Sequence, residues 1–313
     1  MNFSKTLKQE ILSKRIKDNC CKKSFLAGLM RGTGQLFIED DQLGLDFTVY
    51  DENLASLCAE YFRVLYDYEI REVSVGNDHL NNREIFEISI KGEKATEILT
   101  DLEVLALDGE EVIVNTHLYG ELTKKECCLK SFIKGLFVAV GSCTLPSNED
   151  LASTGYHAQF TFSHEIPAEE TERVLSKYDI TSKTTKRKGQ VLLYIKSAEQ
   201  IKNLFAFLGA SLAVLNITDL MISREMINNT NRRTNCDMGN VSRQIEATMK
   251  QIEAIKILQK KNVLSTLKQE LQLTAKLRLE KQDMSVIELA NLLGVSKSCL
   301  NHRLKKLIEL SKQ

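Results

Sequence analysis

The sequence has no run of about 18 apolar residues, which is the length that a membrane-spanning helix needs. The longest apolar stretch, residues 204–217, is interrupted by Ser211 and Asn216. The N-terminal residues also lack the apolar core of a secretory signal peptide. We therefore expect a cytoplasmic protein with no membrane partner.

The chain also lacks a net charge, because 42 lysine and arginine residues balance 42 aspartate and glutamate residues. The balance is uneven along the chain. Residues 240–313 contain 14 basic and 7 acidic side chains, so this part carries +7 and the remainder carries −7. Basic segments attract nucleic acid, and we therefore expect DNA contacts to be concentrated in the C-terminal part.

Eight cysteines are present, but their spacing is not that of a zinc motif. Four of them form the adjacent pairs Cys20-Cys21 and Cys127-Cys128, without the two-residue gap of a zinc knuckle. In a cytoplasmic chain of this length they need not form disulfides. Two interpretations stay open: small buried side chains at the start of two helices, or four thiols that converge at an internal symmetry axis. We assign no metal and no cofactor.

What the sequence does contain is one long internal repeat. The sequence of residues 20–34 is repeated, with several identical residues at a constant offset, in residues 127–141. A period this long, present twice, indicates two copies of one half-domain. Each copy is apolar and places small residues one helical turn apart, as at Gly28 and Gly32, which lets helix backbones approach closely. The repeat predicts two helices packed side by side about a pseudo-two-fold axis.

The elements that follow each copy of the repeat have the same predicted order. Residues 43–50 alternate as a half-buried strand does, and residues 54–65 repeat apolar side chains at helical spacing. In the second half a strand at 156–163, a helix at 167–177 and a hairpin at 180–195 follow in turn. The sequence therefore predicts an α+β fold with two pseudo-symmetric αββαββα halves.

Residues 286–307 are predicted to form a helix-turn-helix within a C-terminal all-α domain. Gly294 can adopt the left-handed conformation that ends the first helix, and Ser296 can cap the second. The second helix presents short polar and basic side chains that can contact base edges and phosphates in a major groove. An αα-hairpin with no DNA-binding function is the alternative. The predicted DNA-binding residues are Lys297, Ser298, Asn301, His302, Arg303, Lys305 and Lys306.

Other basic groups are weaker candidates for phosphate contacts, and a solvated turn or linker is the simpler interpretation of them. The polar stretch 228–240 lacks apolar periodicity and is predicted to be a linker, with helices beginning again at residue 241. The first-half hairpin tip, residues 39–41, is acidic and would repel a phosphate backbone. The secondary candidates are Lys183, Lys186, Arg187 and Lys188 in the second-half hairpin, and Arg232 and Arg233 in the linker.

Residues 26–34, LAGLMRGTG, resemble the LAGLIDADG motif of homing endonucleases, and residues 133–141 are a looser match. In that family the residue before the last glycine is acidic, and one from each helix holds the metal ions at the scissile phosphates. Here these positions are Thr33 and Val140, and neither supplies the charged oxygen that Mg²⁺ prefers. The resemblance implies a LAGLIDADG-like scaffold that is not an enzyme.

The whole chain resembles the bacterial WhiA family, which joins a degenerate LAGLIDADG scaffold to a C-terminal helix-turn-helix. The resemblance is most specific at residues 231–236 and 292–304. It implies a DNA-binding regulator of sporulation, or a nucleoid-associated factor that supports cell division and chromosome segregation, with duplex DNA as its partner. The predicted domains are a LAGLIDADG-like domain at 1–227 with halves 1–108 and 109–227, a linker at 228–240, and a helix-turn-helix domain at 241–313.

Two functions of other classes stay open beside the DNA-binding regulator. An active homing endonuclease or RNA maturase would need a carboxylate at position 33 or 140, and the sequence has none there. A structural adaptor would bind a protein partner on the LAGLIDADG-like domain and would not bind nucleic acid tightly.

Overall fold

The elements up to residue 207 include both helices and strands, and all the elements that follow are helices. The computed structural model describes residues 3–70, 73–78, 83–108, 111–146 and 155–312. The chain divides into two compact units, Met1–Arg224 and Glu225–Gln313.

The first half has the predicted αββαββα order after an N-terminal helix. Its strands pair antiparallel in the order β1-β2-β4-β3, and alternate side chains of the central strand β2 enter the core, among them Leu45 and Phe47. Its elements are α1 (Phe3–Ser13), α2 (Asn19–Thr33), β1 (Gly34–Glu39), β2 (Gln42–Val49), α3 (Glu52–Tyr66), β3 (Val73–Asp78), β4 (Arg83–Lys91) and α4 (Glu93–Asp101).

A two-stranded hairpin, β5 (Leu105–Asp108) and β6 (Glu111–Val114), follows the first half. This hairpin was not among the predicted elements. The second half then repeats the topology, because its sheet has the strand order β7-β8-β10-β9. Its elements are α5 (Glu126–Val140), β7 (Gly141–Thr144), β8 (His157–Phe162), α6 (Glu165–Ser176), β9 (Lys183–Arg187), β10 (Gln190–Ile195) and α7 (Ala198–Phe207).

The two repeated helices, α2 and α5, pack against each other as predicted. Gly28 faces the backbone of Phe132, and Gly135 faces the backbone of Phe25, so the two contacts are related by the pseudo-two-fold axis. A Cβ atom at either glycine would lie far inside van der Waals contact of the opposing carbonyl oxygen. The small residues therefore set the close approach of α2 and α5, which we call the seam helices. Both sheets pack around the contact between these helices, the seam, as one core.

The longest helix, α8 (Ser211–Lys260), extends over 50 residues. It continues through residues 228–240, so the predicted helix start at residue 241 was wrong. This stretch is almost entirely exposed and contains no proline, so it can continue a helix without an apolar face. The predicted domain and linker limits stay predictions. Among the described helices, none is both long and apolar enough to cross a membrane.

The second unit contains the C-terminal part of α8 and three further helices, α9 (Gln269–Glu280), α10 (Val286–Leu292) and α11 (Lys297–Ser311). Leu289, Ala290, Leu300 and Leu304 form the core where α10 and α11 cross. The guanidinium of Arg278 is buried in this unit and donates to Gln251 Oε1 at 2.9 Å and to the carbonyl of Met284 at 2.7 Å. Burial lowers the pKa of Arg278. These contacts hold the segment before α10 against α8 and α9.

Candidate nucleic-acid interface

The helix-turn-helix is formed by α10, α11 and the turn between them, and local hydrogen bonds define its ends. Ser285 and Glu288 form a capping box at the start of α10, in which the Ser285 hydroxyl accepts from the Glu288 amide at 3.3 Å. Gly294 has a φ angle of +64°, as predicted for the residue that ends the first helix. The Ser296 hydroxyl accepts from the Cys299 amide at 3.2 Å and caps α11.

One side of α11 is buried and the opposite side is exposed. Leu300, Leu304 and Leu307 are each at most 2% exposed and lie on the buried side. The exposed side, which we call the α11 face, has no acidic side chain in its first three turns. Its members are Lys297, Ser298, Asn301, His302, Lys305 and Lys306.

Arg303 differs from the other predicted DNA-binding residues. Its side chain is 17% exposed, and its Nη2 lies 3.1 Å from Oε2 of Glu270 on α9. Helical spacing places it beside the buried leucines rather than among the α11 face residues. We therefore assign Arg303 to the packing of α9 against α11 and leave it out of the α11 face.

The register of the second sheet separates the basic residues of its edge strand, β9. Lys186 is opposite Val191, whose side chain is buried, so both point to the sheet face that packs against the helices. The ammonium group of Lys186 there forms an ion pair with the carboxylate of Glu165 on α6. Lys186 therefore does not lie with the other basic residues predicted on this hairpin.

Lys183 and Arg187 lie on the other side of this sheet, which we call the second open face. They are opposite Tyr194 and Gln190, respectively. Lys188 occupies the turn, with a positive φ of 50°. Among the strand residues described, this face carries no carboxylate. It therefore has two cations without an opposing acid.

The equivalent side of the first sheet, which we call the first open face, has the opposite charge. Asp46 is opposite Ser89, and Glu87 is opposite Thr48, so both carboxylates lie on this side. A third carboxylate, Glu39, pairs with Lys91 at 2.8 Å. Among the strand residues of this sheet whose side chains the structure describes, three carboxylates and one ammonium group therefore lie on this side.

The C-terminal ends of the seam helices carry no acidic residue, as the sequence showed. The hydroxyl of Thr33 donates to the carbonyl of Leu29 at 3.1 Å, within its own helix. Val140 is a partly buried member of the main core. Within the described ranges, one group of three or more metal-ligating side chains lies close together, and it consists of cysteines at the opposite ends of these helices.

Arg232 and Arg233 are both exposed on α8. Their assignment as secondary phosphate contacts stays a prediction.

Comparison with known proteins gives the family. Three family models match in order: the WhiA N-terminal LAGLIDADG-like domain at residues 19–105, the WhiA LAGLIDADG-like domain at 129–227 and the WhiA C-terminal HTH domain at 230–311. The chain is 30% identical over 316 residues to a Bacillus pumilus (strain SAFR-032) protein named "Probable cell division protein WhiA", covering 100% of this chain and 97% of that one. The chain belongs to the WhiA family.

Other WhiA proteins give the same picture. The Bacillus subtilis (strain 168) protein of the same name is also 30% identical, with coverage of 100% and 97%. The crystal structure of full-length WhiA from Thermatoga maritima has a TM-score of 0.58 and 21% identity, and covers 100% of this chain and 98% of that one. This structural likeness confirms the fold of two LAGLIDADG-like halves followed by a helix-turn-helix domain.

Sequence reasoning missed several side chains that position the α11 face. The capping box was detectable, because serine followed three residues later by glutamate is its usual signature. The buried Arg278 and the ion pair of Arg303 with Glu270 were not detectable, because each joins elements that only the tertiary structure brings together.

Proposed function

We propose that this WhiA-family protein is a regulator that binds double-stranded DNA through the α11 face. The observation that carries the proposal is that six of the seven predicted DNA-binding residues lie exposed on one side of the second helix of a helix-turn-helix. Three of the six are lysines, and the leucines that build the core occupy the opposite side. A surface with this charge and geometry suits the major groove.

Within this proposal the α11 face has two groups of residues. Ser298, Asn301 and His302 have short polar side chains in the first half of the helix, where they would meet base edges. Lys297, Lys305 and Lys306 would contact the phosphates on either side of the groove. The first group would provide sequence preference, and the second would provide affinity that depends on salt.

The family relatives named for cell division support a role in that process for this chain. We include transcription regulation, chromosome segregation and sporulation in the proposed range of roles, with the protein located on the nucleoid in the cytoplasm. The acidic first open face suits a protein partner better than it suits DNA, because carboxylates repel phosphates. Such a partner would bind the LAGLIDADG-like unit.

The proposal includes the absence of nuclease activity. Thr33 and Val140 replace the two acidic residues that hold metal ions in homing endonucleases, and Thr33 already donates within its helix. Incubation of supercoiled plasmid with the purified full chain and Mg²⁺ or Mn²⁺ should therefore give neither nicks nor cuts. Thr33 and Glu52 line the same cavity. Cleavage that copurifies with the protein and stops when Glu52 is replaced would contradict this part of the proposal.

Fluorescence anisotropy with a short duplex of mixed sequence tests the DNA-binding proposal directly. At low salt the full chain should bind, and the logarithm of its affinity should fall linearly with the logarithm of salt concentration. Crosslinking to the genome in living cells would then give the preferred sequences. Failure to bind duplex at low salt would refute the proposal and favour the adaptor.

A further inference from the structure

The four cysteines of the internal repeat lie together at the N-terminal ends of the seam helices. The Sγ atoms of Cys20, Cys21 and Cys128 are all within 4.8 Å of one another. The Sγ of Cys127 is 3.9 Å from that of Cys128. Each helix therefore contributes two adjacent thiols. Three of the four form one close group, and Cys127 joins it through Cys128.

The cluster is half buried and half accessible. Cys21 and Cys128 are buried, at 5% and 4% exposure, whereas Cys20 and Cys127 are exposed. The two buried thiols lie across the seam from each other, one on each helix. An ion could enter from the exposed side and would then lie partly shielded from water, where its attraction to thiolates is stronger.

We propose that Cys20, Cys21, Cys127 and Cys128 bind one Zn²⁺ ion that joins the two LAGLIDADG-like halves at the start of their seam helices. Four sulfur ligands favour a soft cation such as Zn²⁺ over Mg²⁺ or Ca²⁺, which take oxygen ligands. Zn–S bonds of about 2.3 Å in a tetrahedron put the sulfur atoms about 3.8 Å apart. The separations among Cys20, Cys21 and Cys128 need to shorten by about 1 Å at most to reach that geometry. Cys127 is near the tetrahedral separation from Cys128 but lies outside that close group, so its thiol has to move further toward Cys20 and Cys21.

The position of the thiols on their helices favours the negative charge that thiolates carry. The thiols occupy the first turn of α2 and of α5, where the helix dipoles stabilise anions.

Burial and hydrogen bonding between the thiols change the pKa values of the cysteines, whose protons zinc would displace. Burial raises the pKa of Cys21 to about 12, and it also raises that of Cys128. Hydrogen bonding to Cys21 lowers the pKa of the exposed Cys127. Zinc would displace the remaining protons on binding, as it does at other thiolate sites.

The spacing that argued against zinc in the sequence does not exclude this site. A two-residue gap is needed when one short loop must wrap around the ion, but here two helices supply the ligands from opposite sides. Adjacent residues suffice, since the 3.9 Å separation in the second pair already approaches the tetrahedral value. The duplicated cysteine pairs would then be the two halves of a single site.

Metal content and cobalt spectroscopy test this proposal on the full chain. Protein purified without chelators, under reducing conditions, should contain one zinc per chain by mass spectrometry. After zinc removal, Co²⁺ titration should give the sulfur-to-metal charge-transfer and intense visible bands of a tetrahedral thiolate site. An octahedral cobalt spectrum, or reduced protein that takes up no Zn²⁺, would overturn the proposal.

Paired cysteine variants separate this site from other thiols. The Cys20→Ser/Cys127→Ser double variant removes the exposed ligands and should lower zinc affinity at least 100-fold. The matched control, Cys236→Ser/Cys299→Ser, removes two exposed cysteines elsewhere and should retain the ion. Equal zinc binding by both double variants would contradict the assignment.

Thiol alkylation gives a readout that does not depend on how the variants fold. In the parent chain Zn²⁺ should protect Cys20 and Cys127 from iodoacetamide, while Cys236 and Cys299 react at unchanged rates as internal standards. Peptide mass spectrometry measures each site separately. Alkylation of Cys20 and Cys127 that is equally fast with and without Zn²⁺ would refute the site.

Discussion

The seam of the first unit has the close helix packing of its motif without the acidic groups, whereas the helix-turn-helix of the second unit has both a packed core and a polar, basic surface. In the seam, the close helix contact at Gly28 and Gly135 is present, but Thr33 and Val140 stand where acidic residues hold metal in homing endonucleases. In the helix-turn-helix, a buried leucine core supports an exposed face that carries polar and basic groups. The first unit therefore provides a scaffold, and the second provides the surface suited to DNA.

The two open faces of the first unit sharpen this comparison. They belong to sheets of the same topology. Among the strand side chains that the structure describes, one face carries three carboxylates and one ammonium group, and the other carries two cations without an opposing acid. Burial fixes the inward side chains of each strand, whereas the outward side chains can diverge without unfolding the sheet. A shared fold therefore gives no reason to expect both faces to bind DNA.

The largest expected effect is on the core of the second unit. Leu300 is 1% exposed between α10 and α11, and Leu300→Ala should destabilise this unit by about 2 to 5 kcal/mol. Hydrogen exchange of the α10 and α11 amides in the full chain should accelerate, and DNA binding should fall with it. Unchanged exchange would show that the α11 face does not depend on this core.

Substitution of either seam glycine should destabilise the first unit to the same extent. Gly28→Val and Gly135→Val each place a side chain against an opposing carbonyl, and each should cost about 1 to 3 kcal/mol or more. Urea unfolding of the full chain measures both. Gly155→Ala is the control, because nothing lies within 4 Å of a Cβ there. If one seam variant were tolerated and the other not, the symmetric packing would be incorrect.

A smaller effect is expected from the amide of Asn301, and only on DNA of preferred sequence. Asn301→Ala should weaken binding to such a site by about 1 to 3 kcal/mol and change binding to random duplex little, because an amide paired with a base provides specificity. Anisotropy titrations with the two duplexes give the difference. Equal losses on both would place Asn301 against phosphate or in the fold.

The sequence predicted what depends on buried periodicity and local turn chemistry. The duplicated seam, the αββαββα order and the helix-turn-helix with Gly294 at its turn are confirmed. It did not predict which side of a strand faces inward at β9, because a shift of one residue in register exchanges the two faces. Lys186 was therefore grouped with Lys183, although they lie on opposite sides of the sheet.

The structure also differs from the sequence-based expectation at two places where a tertiary contact or exposure to solvent determines the conformation. Arg303 matches a phosphate-binding residue by composition, but Glu270 on another helix forms an ion pair with it. Residues 228–240 have the composition of a linker, yet they continue α8, because a solvated helix needs no apolar stripe. Neither outcome can be derived from local periodicity.

The salt dependence of DNA binding tests the central claim most directly, using two double variants that remove the same number of charges. Lys297→Ala/Lys305→Ala removes two cations from the α11 face, and Lys183→Ala/Arg187→Ala removes two from the second open face. With the full chain and a mixed-sequence duplex, the first should lower the slope of log affinity against log salt by about two. The second should leave the slope unchanged. A reduced slope in the second variant with an unchanged slope in the first would contradict the account and place DNA on the sheet.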